Sequence, residues 1–231
     1  MSDLVERWAQ VWADKVAEVE RQSGVPAEDW RTSGRRSKAL PDGEDLEFWQ
    51  AEGLRQVETY LDWYKRSGWQ IATMPDGKPG IEWEAEVVFG GAHVRLVIDA
   101  VYQLNLPPWT DATPDTLVVV DYKTGSRNPA TGPIQLGLYA SAIEKVYGIR
   151  PKWGAIYMSR KGELADLVDL TPWSIEFYDY QFAAMDAHIE TGYLPPSVGD
   201  HCGFCSFKDY CTAVGGSKAS EYPLQIHTKG K

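Results

Sequence analysis

Cysteine is scarce in this 231-residue chain: Cys202, Cys205 and Cys211 lie within ten residues of one another, and none occurs before them. An odd, tightly clustered set without a secretion signal argues against a disulfide framework and for metal or cluster ligation. Long apolar runs are also missing. No stretch approaches the ~18–20 uncharged residues that would span a bilayer. The opening segment MSDLVERWAQ lacks the apolar centre of a signal peptide. A soluble, cytoplasmic protein without a membrane partner is therefore expected. Basic residues are in deficit, 23 Lys and Arg against 33 Asp and Glu, for a net charge of −10. That weighs against a broad phosphate-binding surface, although a local basic groove can coexist with an acidic exterior. The densest basic run is Arg31, Arg35, Arg36 and Lys38, either a solvated loop or a nucleic-acid contact.

At 43% hydrophobic residues the chain can bury one sizeable core, so one domain with appendages is expected. Residues 2–22 carry apolar positions at helical spacing (Leu4, Val5, Trp8, Val11, Trp12, Val16, Val19). Residues 23–44 read as a mobile connection. A second helix is predicted over 46–66, with Phe48, Trp49, Val57, Tyr60, Leu61 and Tyr64 as its buried stripe and Gly68 as its stop. The period then becomes two. Residues 81–89 alternate, Gly90-Gly91 signals a hairpin, and 93–104 and 117–123 complete three strands. Residues 105–115 read as a loop. Pro133 suits the first turn of a helix over 134–147, ended by Gly148. A hairpin is expected over 151–159 and 164–170, turning at Lys161-Gly162. Thr171-Pro172 should open a helix through about Glu190. Residues 215–231 read as a disordered tail. This order predicts an α/β or α+β domain around a central mixed sheet flanked by helices.

The chemistry concentrates where LVVVDYK ends. Residues two apart on a strand share a face, so Asp121 and Lys123 project together while Tyr122 points away. Taken alone, this is also how an ordinary strand ends before a turn. Asp99, within HVRLVIDAVYQL, shares its face with Val97 and Val101, and a half-buried carboxylate is costly unless paired or bound to a cation. If the two strands are neighbours, Asp99, Asp121 and the backbone oxygen of Tyr122 make an all-oxygen site suited to Mg²⁺ or Mn²⁺. Gln135 and Tyr139 lie four apart on the following helix and share a face. Glu82, Glu84 and Glu86 share a strand face, where one could add a carboxylate and solvent exposure is the simpler account.

In that order, an Asp in VIDAV, then DYKTG, then QLGLY, the chain resembles the RecB-like branch of the PD-(D/E)XK nucleases. It is similar to CRISPR-associated and phage-encoded exonucleases that carry a C-terminal cysteine cluster. The resemblance covers roughly residues 81–211. It implies a restriction-endonuclease-like core over 71–195, a helical region over 1–70 and a cysteine segment over 196–214. It implies a metal-dependent DNA exonuclease preferring single strands or free ends, with protein partners in recombination, repair or CRISPR spacer processing. Asp99 and Asp121 would be metal ligands, Lys123 would orient the attacking water and offset phosphate charge, and Gln135 and Tyr139 would steady the site. Cys202, Cys205 and Cys211 would be the C-terminal trio of a 4Fe–4S cluster; three thiolates with His201 on Zn²⁺ is the alternative. The chain departs from the family in two places. It lacks an earlier cysteine, and where the family has a metal-binding His four residues after a Gly, Gly53 is followed by Val57. Those departures leave open a catalytically weak DNA-binding or scaffold subunit that keeps the fold.

Overall fold

The structure, a computed structural model, describes residues 2–30, 38, 41, 43–104, 117–125, 132–192 and 196–221. The expected loop at 105–115, the basic run through Arg36 and the last ten residues lie outside these; Lys38 is exposed. Two units are distinguished by backbone contact, Met1–Trp83 with Val97–Thr171 and Glu84–Leu96 with Pro172–Lys231.

The first unit holds α1 (Ser2–Ser23), α2 (Leu46–Ser67), β1 (Gln70–Ile71), the start of β2 (Ile81–Phe89), most of β3 (Ala92–Gln103), β4 (Leu117–Lys123), α3 (Gly132–Tyr147), β5 (Trp153–Met158), β6 (Glu163–Leu164) and β7 (Val168–Asp169). The sheet runs β1-β3-β4-β5-β6, with β2 on β3 and β7 on β5. β3 and β4 pair antiparallel, β4 and β5 parallel, so the sheet is mixed as expected. The hairpin predicted after 151 is divided: β6 and β7 are two short strands, each antiparallel to β5.

Val118, Val119 and Val120 are fully buried, because β4 lies between two strands and is covered on both faces. Burying each such side chain contributes about 1.5–3 kcal/mol. On one face Val118, Val120, Tyr102 and Tyr157 pack under Tyr60, Trp63, Tyr64 and Trp69. On the other lies α3, whose Leu136, Ala140 and Ile143 are buried. Gly154 lets α3 approach β5: a Cβ there would sit 3.0 Å from that of Leu136.

α2 is capped by Asp45, whose side chain accepts from Phe48 N–H at 2.8 Å, and ends at Gly68 with φ 70°. Its predicted stripe is only half-buried, and its one fully buried residue is Gln56. α1 has no buried residue between Asp3 and Ser23. It is fastened by Trp8, whose indole N–H donates to Gln50 O at 2.8 Å. That ring lies so close over Gly53 that a Cβ there would be 2.5 Å from it.

The second unit contains the β2–β3 hairpin end and α4 (Ile175–Thr191). Gly90 and Gly91 have φ of 56° and 93°, the left-handed pair that a two-residue hairpin demands. Gly90 N–H donates to the Asp179 carboxylate at 2.9 Å, and Phe89 packs on Tyr178 and Phe182. The N-cap of α4 is Ser174, not Thr171. Asp169 accepts the Thr171 N–H at 2.9 Å, which satisfies that group locally, and the helix starts three residues later. No described helix is long and apolar enough to cross a membrane.

Candidate active site

Asp99, Asp121 and Lys123 come together on the α3 face of the sheet. The β3–β4 register pairs Val101 with Val119 and Ala100 with Val120, so its next step sets Asp99 opposite Asp121. Opposed residues of an antiparallel pair project to the same side, with Cβ atoms about 4.5–5.5 Å apart. Asp99 Oδ2 accepts the Tyr122 N–H at 2.7 Å, which ties β3 to the stretch of β4 that carries Asp121 and Lys123.

Asp121 is 2% exposed. The Lys123 ammonium lies 2.7 Å from its Oδ2, yet no donor among the described residues is aligned with that buried atom as a hydrogen bond. Burial pushes the Asp121 pKa up, the Lys123 cation draws it down, and the charge of Asp99 adds to the rise. A buried oxygen without an aligned donor beside a second carboxylate fits a hard divalent cation, which would remove both costs. The described residues offer two side-chain ligands for it. No group of three or more His, Cys, Asp or Glu side chains is placed to hold a metal among them.

Gln135 and Tyr139 are both on α3, as the four-residue spacing predicts. Gln135 Nε2 donates to the Tyr139 hydroxyl oxygen at 2.7 Å, leaving the hydroxyl proton for another acceptor. Burial raises the Tyr139 pKa, and the charges of Asp121 and Asp99 raise it further. The hydroxyl therefore stays a proton donor.

Tyr122 turns to the opposite face, where its hydroxyl joins those of Tyr102 and Tyr60, themselves 2.7 Å apart. Burial raises the pKa of both Tyr102 and Tyr122. Glu82, Glu84 and Glu86 are exposed.

Cys202, Cys205 and Cys211 are free thiols in a segment of short 3₁₀ turns. They are not gathered into a metal-binding group with one another or with His201. The His201 ring lies 2.7 Å from Ser197 O. The 4Fe–4S and zinc sites that the resemblance implies are therefore not formed by these residues as they stand.

Sequence reasoning missed Arg160. Its guanidinium grips both oxygens of Glu44, at 2.9 and 2.7 Å, and its Nε donates to Thr124 O at 2.8 Å, one residue past Lys123. It also lies 4.7 Å from the centre of the Trp49 ring. An Arg after a strand carries no signal of such a partner. Also missed was a cavity of about 590 Å³ lined by Trp8, Trp12, Trp49, Val57, Tyr60 and Tyr122 among others. Its signal was present: tryptophans at helical spacing facing a helix that carries a glycine.

The profile of the PD-(D/E)XK nuclease superfamily matches residues 3–212. Two phage proteins are similar. The Gene 69 protein of Mycobacterium phage D29 is 34% identical over 173 residues, 72% of this chain and 60% of its own length. That of Mycobacterium phage L5 is 34% identical over 184 residues, 69% of this chain and 60% of its own. The chain thus spans about 60% of the length of the curated relatives it matches. The crystal structure of SSO0001 superposes with a TM-score of 0.40 at 12% identity, over 91% of this chain and 84% of that one, too distant for residue comparison.

Proposed function

We propose that this chain, which belongs to the PD-(D/E)XK nuclease superfamily, is a metal-dependent DNA exonuclease that prefers single strands or free ends. The carrying observation is the convergence of Asp99, Asp121 and Lys123, with the Asp121 Oδ2 buried and lacking an aligned donor. Mg²⁺ or Mn²⁺, held by the Asp99 and Asp121 carboxylates and the Tyr122 carbonyl, would supply Lewis acidity at the scissile phosphate and an acidified water. The remaining work falls to side chains. Lys123, one-third exposed beside a buried carboxylate, orients the attacking water and places its cation where negative charge grows on the phosphate. Gln135 holds the Tyr139 hydroxyl, which donates its proton to a phosphate oxygen and fixes the strand. Asp99 also steadies β4 through the Tyr122 N–H.

The test is degradation of end-labelled DNA with Mg²⁺ or Mn²⁺. Asp121→Ala and Lys123→Ala should each reduce the rate at least about a hundredfold, the scale of losing one preorganised charge at a reacting centre. Activity surviving both changes would sink the assignment. Comparing 5′- and 3′-labelled single strands, duplexes and circles separates exonuclease from endonuclease action. The setting in this reading is phage or bacterial recombination or repair, or CRISPR spacer processing, and the similarity to two mycobacteriophage proteins supports the phage side of it.

A second reading has its own observation. Among the described residues no third His, Cys, Asp or Glu joins Asp99 and Asp121 to hold a metal, and where the resemblance implies a His four residues after a Gly, Gly53 is followed by Val57. A DNA-binding or scaffold subunit would then bind DNA without cutting it under any divalent cation. The cysteine trio adds a separate proposal, a 4Fe–4S cluster that would have to draw the three thiols together and take a further ligand. Iron and sulfide in anaerobically purified protein would support it; stoichiometric zinc without iron would refute it.

A further inference from the structure

Between α1, α2 and the sheet lies a cavity of about 590 Å³, within the roughly 300–1,000 Å³ of sites for small organic groups. Its walls are mostly rings: Trp8 and Trp12 from α1, Trp49 and Tyr60 from α2, Tyr122 and Tyr157 from β4 and β5. Packing alone would bury such rings, but the tryptophans remain half-exposed. Trp8 is held in place, by its indole bond to Gln50 O and by the bare backbone of Gly53 beneath it. Trp12 lies 5.6 Å from it, centre to centre. The ring wall is therefore standing before any ligand arrives.

Polar residues set this cavity apart from a packing defect, and Ser159 is one of them. Gln56 also lines the cavity and is the one buried residue of α2; its amide N–H donates to Glu52 at 2.9 Å. The rim contains Thr124, the residue after Lys123.

A flat, aromatic, mostly apolar ligand with a polar edge satisfies these conditions. We propose that this cavity receives an unstacked nucleobase of single-stranded DNA, stacked against the tryptophans, with its polar edge toward Thr124 and Ser159. The inference rests on the nuclease reading for its choice of ligand. It assigns to α1 a role that the catalytic residues do not need: α1 supplies one wall of a base pocket at the end of the catalytic strand. Because every base has a stacking face, the pocket would favour unpaired ends with little sequence preference.

Binding is measured in EDTA, by quenching of tryptophan emission, with thymidine decanucleotide and with a decamer of abasic residues as probes. The natural decamer should quench and bind, and the abasic one should bind at least tenfold more weakly. Trp12→Ala should weaken the natural decamer about tenfold, a typical loss for one stacking ring, and Trp12→Phe should restore most of it. Val57→Phe, which fills the cavity from the α2 side, should weaken it as well. Equal binding of both decamers, or Trp12→Ala and Val57→Phe binding like the wild type, would overturn the pocket. Chain cleavage is scored separately with Mn²⁺. Base-dependent binding without cleavage would remove the nuclease reading and leave the pocket, whereas cleavage without base dependence would do the reverse.

Discussion

At the scale of single residues, charges with nowhere else to go explain most of the site. Asp121 is buried and its pKa is raised, first by desolvation. A raised carboxylate pKa means that its contribution to stability is full below the unfolded value and is lost as pH rises through the folded value. At neutral pH the ionised Asp121 therefore strains the metal-free protein. Asp121→Asn should raise the melting temperature of the metal-free protein and abolish the rise that Mg²⁺ or Mn²⁺ gives the wild type. At a hundredfold excess over Kd that rise corresponds to about 2.7 kcal/mol. Differential scanning fluorimetry with and without cation reads both effects. Glu52 runs the other way. The hydrogen bond from Arg55 holds it down to about 2, helped by one from Gln56. Its stabilising contribution is present above the ordinary glutamate value and is lost as pH falls toward 2. Arg55→Met should flatten that part of an acid-unfolding curve followed by circular dichroism, and a curve unchanged from wild type would deny the pair any weight.

At the scale of elements, a glycine decides how closely α3 can lie on the sheet. Gly154→Ala would place a Cβ 3.0 Å from Leu136 Cβ and 3.1 Å from Leu170 Cδ1. Such overpacking costs about 1–3 kcal/mol, and α3 carries Gln135 and Tyr139. The variant should melt several degrees lower and lose nuclease rate more than DNA affinity. Most elements were legible from pattern. The four apolar residues before Asp121 announced a covered strand, Gly68 and Gly148 ended helices where expected, and parity alone placed Asp121 and Lys123 on one face. Register was not legible. That Asp99 meets Asp121, and not a residue two positions away, follows from the pairing of Ala100 with Val120, which no local pattern encodes. The start of α4 was misplaced because Ser174 and Thr171 are both good caps, and no local pattern shows that Asp169 takes the Thr171 N–H while Ser174 accepts the Phe177 N–H. The stripe on α2 was over-read. Trp49 and Tyr60 line a cavity, while Tyr60, Trp63 and Tyr64 only cover the edge of the core, so the stripe looks apolar in sequence and stays partly exposed in the fold.

At the scale of the whole molecule, a net charge of −10 must coexist with a polyanionic substrate. Few phosphates can be neutralised by such a chain, so DNA affinity should fall only shallowly with salt. Each contact with a single strand contributes about 0.7 to the slope of log K against log salt. Replacing Arg31, Arg35 and Arg36 together by Ser should reduce that slope if the run touches phosphate, and fluorescence anisotropy across a salt series measures it. Tyr122 has another use. Its N–H holds Asp99, while its ring meets Tyr60 and Tyr157 edge-on across the sheet. Tyr157 in turn packs on Trp63, 5.0 Å away. The two faces therefore share one residue, so a cation that settles between the carboxylates should be felt by chromophores on the far side. Titration with Mg²⁺ or Mn²⁺ should then change the near-ultraviolet dichroism, an optical gauge of site occupancy that needs no dye, label or substrate.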